Sequence, residues 1–580
     1  MIKKSKFKQN LKFKLQEGII MKKRVISGLI ITCLIFTGIC SGVMLFLPSF
    51  GSNDGSYALT YNNKSIPQRC HYINNTPYLP ITLIGSYAKN PGISLDTAGK
   101  KLVIDLSKQN IMMADDAATN FVKTYAGNVY IPLREIDQML YFPLNTTGQF
   151  FKLSYTVSGN TIKMRDYSGT DKIAKINQNE VQAVSSLIDG EGDTVIFNQN
   201  DTVFITGQTD NYYRLSADDG STVYVMKDHV TISEIDLSKI DFYAPKKSKF
   251  KRNGEKINLV WQYVGNITPE APAVKHKGLD ILAPTWFDLI TDGDGSVENN
   301  GDKGYTDSAH SKGYMVWVTI TNNMSTKGST AFTTKTFNNS GLLNKSVAQY
   351  IFYSCLYDAD GINIDYEDVA DSDAAGLVAF TALMRNYTER QGLVLSIDTL
   401  IPRPWTIEYD RASLAKYVDY LAVMTYDEHY AGSPDAGSVS SLPWTEEAIK
   451  TTLEDVPASK LLIGVPLYTR IWTVDDTGKV ISNPSANMQT VRSTVAKKGL
   501  TPTWLDKGKQ YYVEYANGEN TSKIWIEDSR SISNRLNLIS NYNLAGSACW
   551  QYGQAEESIW EVFGEMLKKG KSVKAYQNPY

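Results

Sequence analysis

Asp360-Gly361-Ile362-Asn363-Ile364-Asp365-Tyr366-Glu367 is the stretch on which the reading of this chain turns. It reads as a short buried β-strand. Side chains alternate along a strand, so Asn363, Asp365 and Glu367 share one face, and Ile362, Ile364 and Tyr366 share the other. The apolar face can pack on helices. The polar face must line something solvated or functional, because buried carboxylates are costly unless paired. On a strand of a (β/α)8 barrel, Glu367 falls at the C-terminal end, where such barrels keep their active sites. Asp365, one pleat deeper, is expected to disfavour ionisation of Glu367 and so raise its pKa, which suits a general acid.

Working outward, strand-like apolar runs alternate with helix-length segments over residues 254–575, the pattern of a parallel α/β architecture. The candidate strands are Ile257 to Val264, Leu279 to Pro284, Met315 to Thr321 and the acidic stretch itself. Leu393 to Thr399, Tyr420 to Tyr426, Leu461 to Tyr468 and Ala545 to Trp550 follow. Eight strands in this length predict a (β/α)8 TIM barrel.

The acidic stretch resembles the D-x-x-D-x-D-x-E signature on the fourth barrel strand of glycoside hydrolase family 18. Asn363 replaces the second acidic residue, a supporting position. Met424-Thr425-Tyr426-Asp427 matches the M-x-Y-D element of that family's sixth strand. Between Trp472 and Trp525, a longer stretch with β-runs at Tyr511 and Lys523 resembles the small α+β insertion that many members of the family carry after strand seven. The resemblance implies Glu367 as acid and then base, with Asp365 holding the acetamido N–H of the substrate and Tyr426 orienting its carbonyl. Asp360, Asn363 and Asp427 would support them. Trp550 would floor the site under a distorted sugar, and Trp286, Trp317, Tyr468 and Arg470 are further candidates for the groove. In this family the N-acetyl oxygen of the substrate is the nucleophile, an exception to the usual pair of carboxylates. The reaction implied is retaining, passes through an oxazolinium-like intermediate, and needs no metal or other cofactor. The alternative from another class is a family-18-like lectin, which binds glycan without cutting it. Such proteins usually lose the acid that Glu367 supplies here.

The 580 residues exceed one domain, and a net charge of -2 gives no electrostatic case for nucleic acid. The 5 cysteines show neither zinc spacing nor a disulfide framework, and the 5 histidines are scattered.

Residues 1–24 form a basic start, and 25–48 carry no charge over a length able to cross a bilayer. Their order predicts a transmembrane signal-anchor with the bulk of the chain outside the cytoplasm. Secretion after signal cleavage is the competing expectation. Residues 57–168 hold a duplication, Tyr78 to Ile84 and Tyr130 to Ile136, each expected to place Pro at the first turn of a short helix. This α+β module resembles the repeat domain named for the N-terminus of copper amine oxidases. Short β-runs within 175–236 resemble a bacterial Src-homology-three-type β-barrel. Residues 237–253 read as an exposed basic linker. An outward-facing anchor and two wall-type modules favour peptidoglycan, cleaved after N-acetylglucosamine, with chitin or chito-oligosaccharides as the other substrate class.

Overall fold

The computed structural model describes residues 56–570, apart from 88–89, 167–170, 188–193, 217–221 and 292. The basic start and the expected anchor at 25–48 lie outside the described residues. Among those described, no helix is long and apolar enough to cross a membrane, and the single-pass membrane placement is not supported.

The chain builds a closed barrel of eight parallel strands: β1 (Ile257–Gln262), β2 (Ile281–Leu289), β3 (Met315–Thr321), β4 (Gly361–Asp365), β5 (Val394–Thr399), β6 (Tyr420–Val423), β7 (Leu461–Pro466) and β8 (Gly546–Trp550). Pairing of β1 with both β2 and β8 closes it. Every residue of β4 is buried, as expected of a parallel strand covered on both faces. Its helix-facing Ile362 and Ile364 join the large core shared with the surrounding helices. The lower interior is filled by Leu259, Trp317, Tyr420 and Leu462, among others, with Phe250 packed against them. The connection after β1 has no helix and runs as an irregular loop from Tyr263 to Asp280. After β7, a five-stranded sheet and the helix Met488–Lys497 form the insertion, around Val491, Tyr511, Val513 and Ile524.

The duplicated motif does not repeat as expected. Pro80 leads into a short helical turn, Ile81–Leu83 and Ile84–Tyr87. Pro132 instead ends a strand, and Arg134–Ile136 is a strand paired with Met139–Pro143. The cause is the two-residue turn at Asp137 and Gln138, both with positive φ (48° and 65°), which folds the chain back as a hairpin. The short helix comes after Pro143 instead, at Leu144–Thr147.

The expected exposed linker is also corrected. Phe242 pairs in a strand with Ile111 and packs 4.6 Å from Phe352 on the barrel. Lys247 is paired with Asp358, and Lys249 lies 2.9 Å from Asp419. Anionic groups at the lower rim of the barrel thus take up these charges. The N-terminal sheets dock on the barrel helices alongside. Phe121 stacks on Tyr387 at 3.9 Å, the Tyr353 hydroxyl accepts from Tyr130 N (2.8 Å), and the Gln349 side chain donates to Ala126 O and Asn128 O.

Candidate active site

A cleft of about 460 Å³ opens at the C-terminal ends of the strands, and Trp261, Asp288, Asp365, Glu367, Tyr426 and Trp550 are among its walls. Glu367 stands two residues beyond the last paired residue of β4. Asn322, fully buried at the end of β3, clamps its backbone. The Asn322 amide donates to Glu367 O (2.6 Å), and Glu367 N donates to Asn322 Oδ1 (3.2 Å). Burial pushes the Glu367 carboxyl up to about 7, with the charges of Asp368 and Asp427 adding to it. Asp365 and Glu367 also act on each other as a pair, each disfavouring ionisation of the other. Asp365 is held well above the usual carboxylate range, first by burial and then by the charges of Glu367, Asp398 and Asp288.

Asp365 Oδ1 is buried and accepts no hydrogen bond from any described residue. An orphaned acceptor in a cleft wall is a place for a ligand donor. Below it, Asn363 bridges strands. Its amide donates to Asp398 Oδ2 (2.5 Å) and its carbonyl accepts from the Ser396 hydroxyl (2.7 Å). The residue that departs from the acidic signature thus serves a second buried acid, Asp398, also raised well above the ordinary range, chiefly by burial.

The aromatic floor is formed by Trp550, Trp261 and Tyr426. The Trp261 ring centre is 6.1 Å from that of Trp550 and 6.5 Å from that of Tyr426, edge to face in the second case. Asp427 adopts φ +60° beside the cleft and accepts from the Tyr468 hydroxyl (2.5 Å), with the Arg470 guanidinium 3.9 Å away. Tyr468 and Arg470 therefore brace Asp427 and are not among the residues lining the cleft.

Three expected site residues lie elsewhere. Asp360 is at the opposite end of β4. It accepts from Val316 N and pairs with His310, both at 2.8 Å, so it fixes the start of the strand and does not reach Asp365. Trp317 points into the barrel but far below the cleft, stacked on Tyr420 at 5.5 Å. Trp286 is fully buried against Tyr305 and Tyr357 on the helix side. Trp286 follows Leu282 on that side by simple alternation; the register of β2 against β3 then slips between Thr285 and Phe287, a bulge that puts Phe287 on the helix side too and brings Asp288 to the cleft. Asp288 accepts from the Thr321 hydroxyl at 2.5 Å, and burial raises its pKa. Sequence reasoning missed Asp288, Asp398, Asn322 and Trp261. Only Trp261 carried a usable signal, an aromatic near the end of a predicted strand.

The arrangement can donate a proton near neutral pH from Glu367, accept an N–H at Asp365, and hold an apolar ring face over Trp550 and Trp261.

Residues 343–555 match the sequence model of Glycosyl hydrolases family 18. The glycosylase YvbX of Bacillus subtilis is 27% identical over 222 residues, 36% of this chain and 61% of that protein. The cortical fragment-lytic enzyme of Bacillus subtilis is 25% identical over 220 residues, 37% of this chain and 51% of that enzyme. The chain thus spans less than two thirds of the length of these curated relatives. The crystal structure of the Bacillus megaterium spore cortex-lytic enzyme SleL is similar at a TM-score of 0.48 with 18% identity, covering 59% of this chain and 76% of that one. The matched segment bears on neither N-terminal module. It runs through the acidic strand and the Tyr426 strand to the end of β8, and on that ground the barrel carries a glycoside hydrolase family 18 domain.

Proposed function

We propose that this protein hydrolyses the β-1,4 bond after N-acetylglucosamine in peptidoglycan, with retention and with help from the substrate's own acetamido group. The observation that carries the reading is the pairing of a carboxyl raised to about 7 with an unpartnered buried carboxylate oxygen beside it in one cleft. In this reading Glu367 protonates the leaving oxygen. The acetamido oxygen attacks the anomeric carbon as that bond breaks. Asp365 takes the acetamido N–H and offsets the positive charge that develops on the oxazolinium ring. Tyr426 aligns the acetamido carbonyl, and the now ionised Glu367 draws a proton from the water that opens the ring. Asp427 borders the sugar, Trp550 and Trp261 support its ring, and Asn363 fixes Asp398, whose charge helps to keep Asp365 raised. The similarity to a cortical fragment-lytic enzyme supports a wall glycan as the substrate class.

The test incubates the protein with purified peptidoglycan and, separately, with chito-oligosaccharides, and identifies products by mass spectrometry. Glu367→Gln serves as the control. New reducing-end N-acetylglucosamine from peptidoglycan, reduced by at least about a hundredfold in the variant, is the expected result. Cleavage of chito-oligosaccharides alone would move the substrate to the chitin class. Binding without cleavage of either would make the protein a lectin.

A further inference from the structure

A second cavity of about 440 Å³ lies where the N-terminal module meets the barrel. Tyr78, Lys100 and Arg134 line it from the module, and Ile267, Asn300 and Asp302 from the barrel loops. Two basic groups, Lys100 and Arg134, and two acidic ones, Glu135 and Asp302, line it. Lys100 is paired with Glu135 at 2.5 Å. Asp302 caps the helix Lys303–Ser311, accepting from Gly304 N at 2.7 Å and Tyr305 N at 3.3 Å, and burial pushes its carboxyl up to about 6. Arg134 lies with its guanidinium 5.4 Å over the Tyr78 ring and forms no ion pair with any described residue. The Asp137-Gln138 hairpin fixes the strand that presents it. A guanidinium held over an aromatic face in a cleft between folded units is suited to a planar carboxylate, which it binds through two parallel N–H donors.

The cavity adjoins the candidate active site along the chain. Tyr263 and Val264 line the cleft, while Asn266, Ile267 and Thr268 line the junction cavity. Val264 and Asn266 are two residues apart, at most about 7 Å of extended chain. Thr268 ties this loop to the segment after β2 through its hydroxyl, which donates to Asn300 O at 2.7 Å. Tyr263 and Ile267, on the ridge between the cavities, are 63% and 65% exposed.

We propose that the junction cavity is a second binding site, in which Arg134 holds a carboxylate carried by the glycan strand bound in the cleft. This rests on the peptidoglycan reading, since a chitin-type strand carries no carboxylate. The source is the stem peptide where one is attached, since the lactyl carboxyl of that muramic acid residue is then an amide, or the lactyl group where the peptide is absent.

The experiment compares wild type, Arg134→Gln and Arg134→Lys on three substrates: peptide-bearing peptidoglycan fragments, the same fragments after the stem peptides are removed, and chito-oligosaccharides. The KM ratio between peptide-bearing fragments and chito-oligosaccharides should rise about tenfold in Arg134→Gln at unchanged kcat, with partial recovery in Arg134→Lys. Loss of the effect after peptide removal assigns the carboxylate to the peptide, and its persistence shows that the lactyl carboxylate freed by that removal is held in its place. Equal KM changes on all three substrates, or none, overturn the proposal. Direct titration of a muramyl peptide into wild type and Arg134→Gln separates this from the catalytic reading. Binding that depends on Arg134 supports the site even where no hydrolysis is seen, and absence of binding overturns it even where hydrolysis is seen.

Discussion

Glu367 has a carboxyl raised to about 7 from an ordinary 4.5, with burial as the largest cause, and two measurable consequences follow. As a general acid it must be protonated, so kcat/KM should fall about tenfold per pH unit above roughly pH 7. A profile flat to pH 9 would remove Glu367 from that role. The second consequence concerns stability. Below 4.5 both the folded and the unfolded chain keep this proton. Between 4.5 and about 7 the unfolded chain gives it up first, so the folded state loses relative stability as pH rises through that window. Glu367→Gln removes the titration. Its melting temperature should therefore gain on wild type between pH 5 and pH 8, and a difference that stays constant with pH would show that burial does not raise this carboxyl.

At the level of the strand, the eight barrel runs were legible because parallel strands buried on both faces are unbroken β-branched and aliphatic stretches. Simple alternation also brought Asp365 and Glu367 to one face. What alternation could not carry is irregularity. The bulge between Thr285 and Phe287 exchanges Phe287 for Asp288 at the cleft. Depth is equally silent in sequence. Trp317 lies four residues before Thr321, which lines the cleft, and at about 3.3 Å per residue that is some 13 Å deeper. Asp398 is a lone acid in the apolar run Leu395 to Leu400, and its partnership with Asn363 exists only once two strands pair. Strand β7 offers a sharper test of such packing. A Cβ on Gly464 would meet Tyr426 Cε1 at 2.9 Å and Thr425 N at 2.7 Å. Gly464→Ala should displace the Tyr426 ring and lower kcat/KM at least about tenfold while the chain stays folded, since small misplacements near reacting atoms are costly. Unchanged kinetics would mean that the cleft tolerates a moved Tyr426.

On the scale of the whole molecule, the N-terminal sheets and the barrel share one apolar core through Phe150, Phe242 and Phe352, so the module should hold the barrel loops in place. None of that interface was visible in sequence, where duplicated motifs suggested separate beads on a linker. Gly304 lies at the closest approach. It is the second residue of the helix after the Asp302 cap, and a Cβ there would fall 1.9 Å from Asn74 O and 2.4 Å from Thr76 Oγ1. The neighbour at 1.9 Å is backbone, so relief requires the module to shift. Gly304→Ala should cost about 1–3 kcal/mol and expose the connection between module and barrel to limited proteolysis. Gly85→Ala, whose Cβ would meet nothing within 4 Å, is the control for a harmless change in the same module. The cleft residues all come from the barrel, so turnover of chito-oligosaccharides should survive in Gly304→Ala. Preference for carboxylate-bearing glycan should fall with the altered junction. Proteolysis and preference moving together would tie the second cavity to docking of the module. A Gly304→Ala protein as resistant as wild type would show that the two units are not held in register at this point.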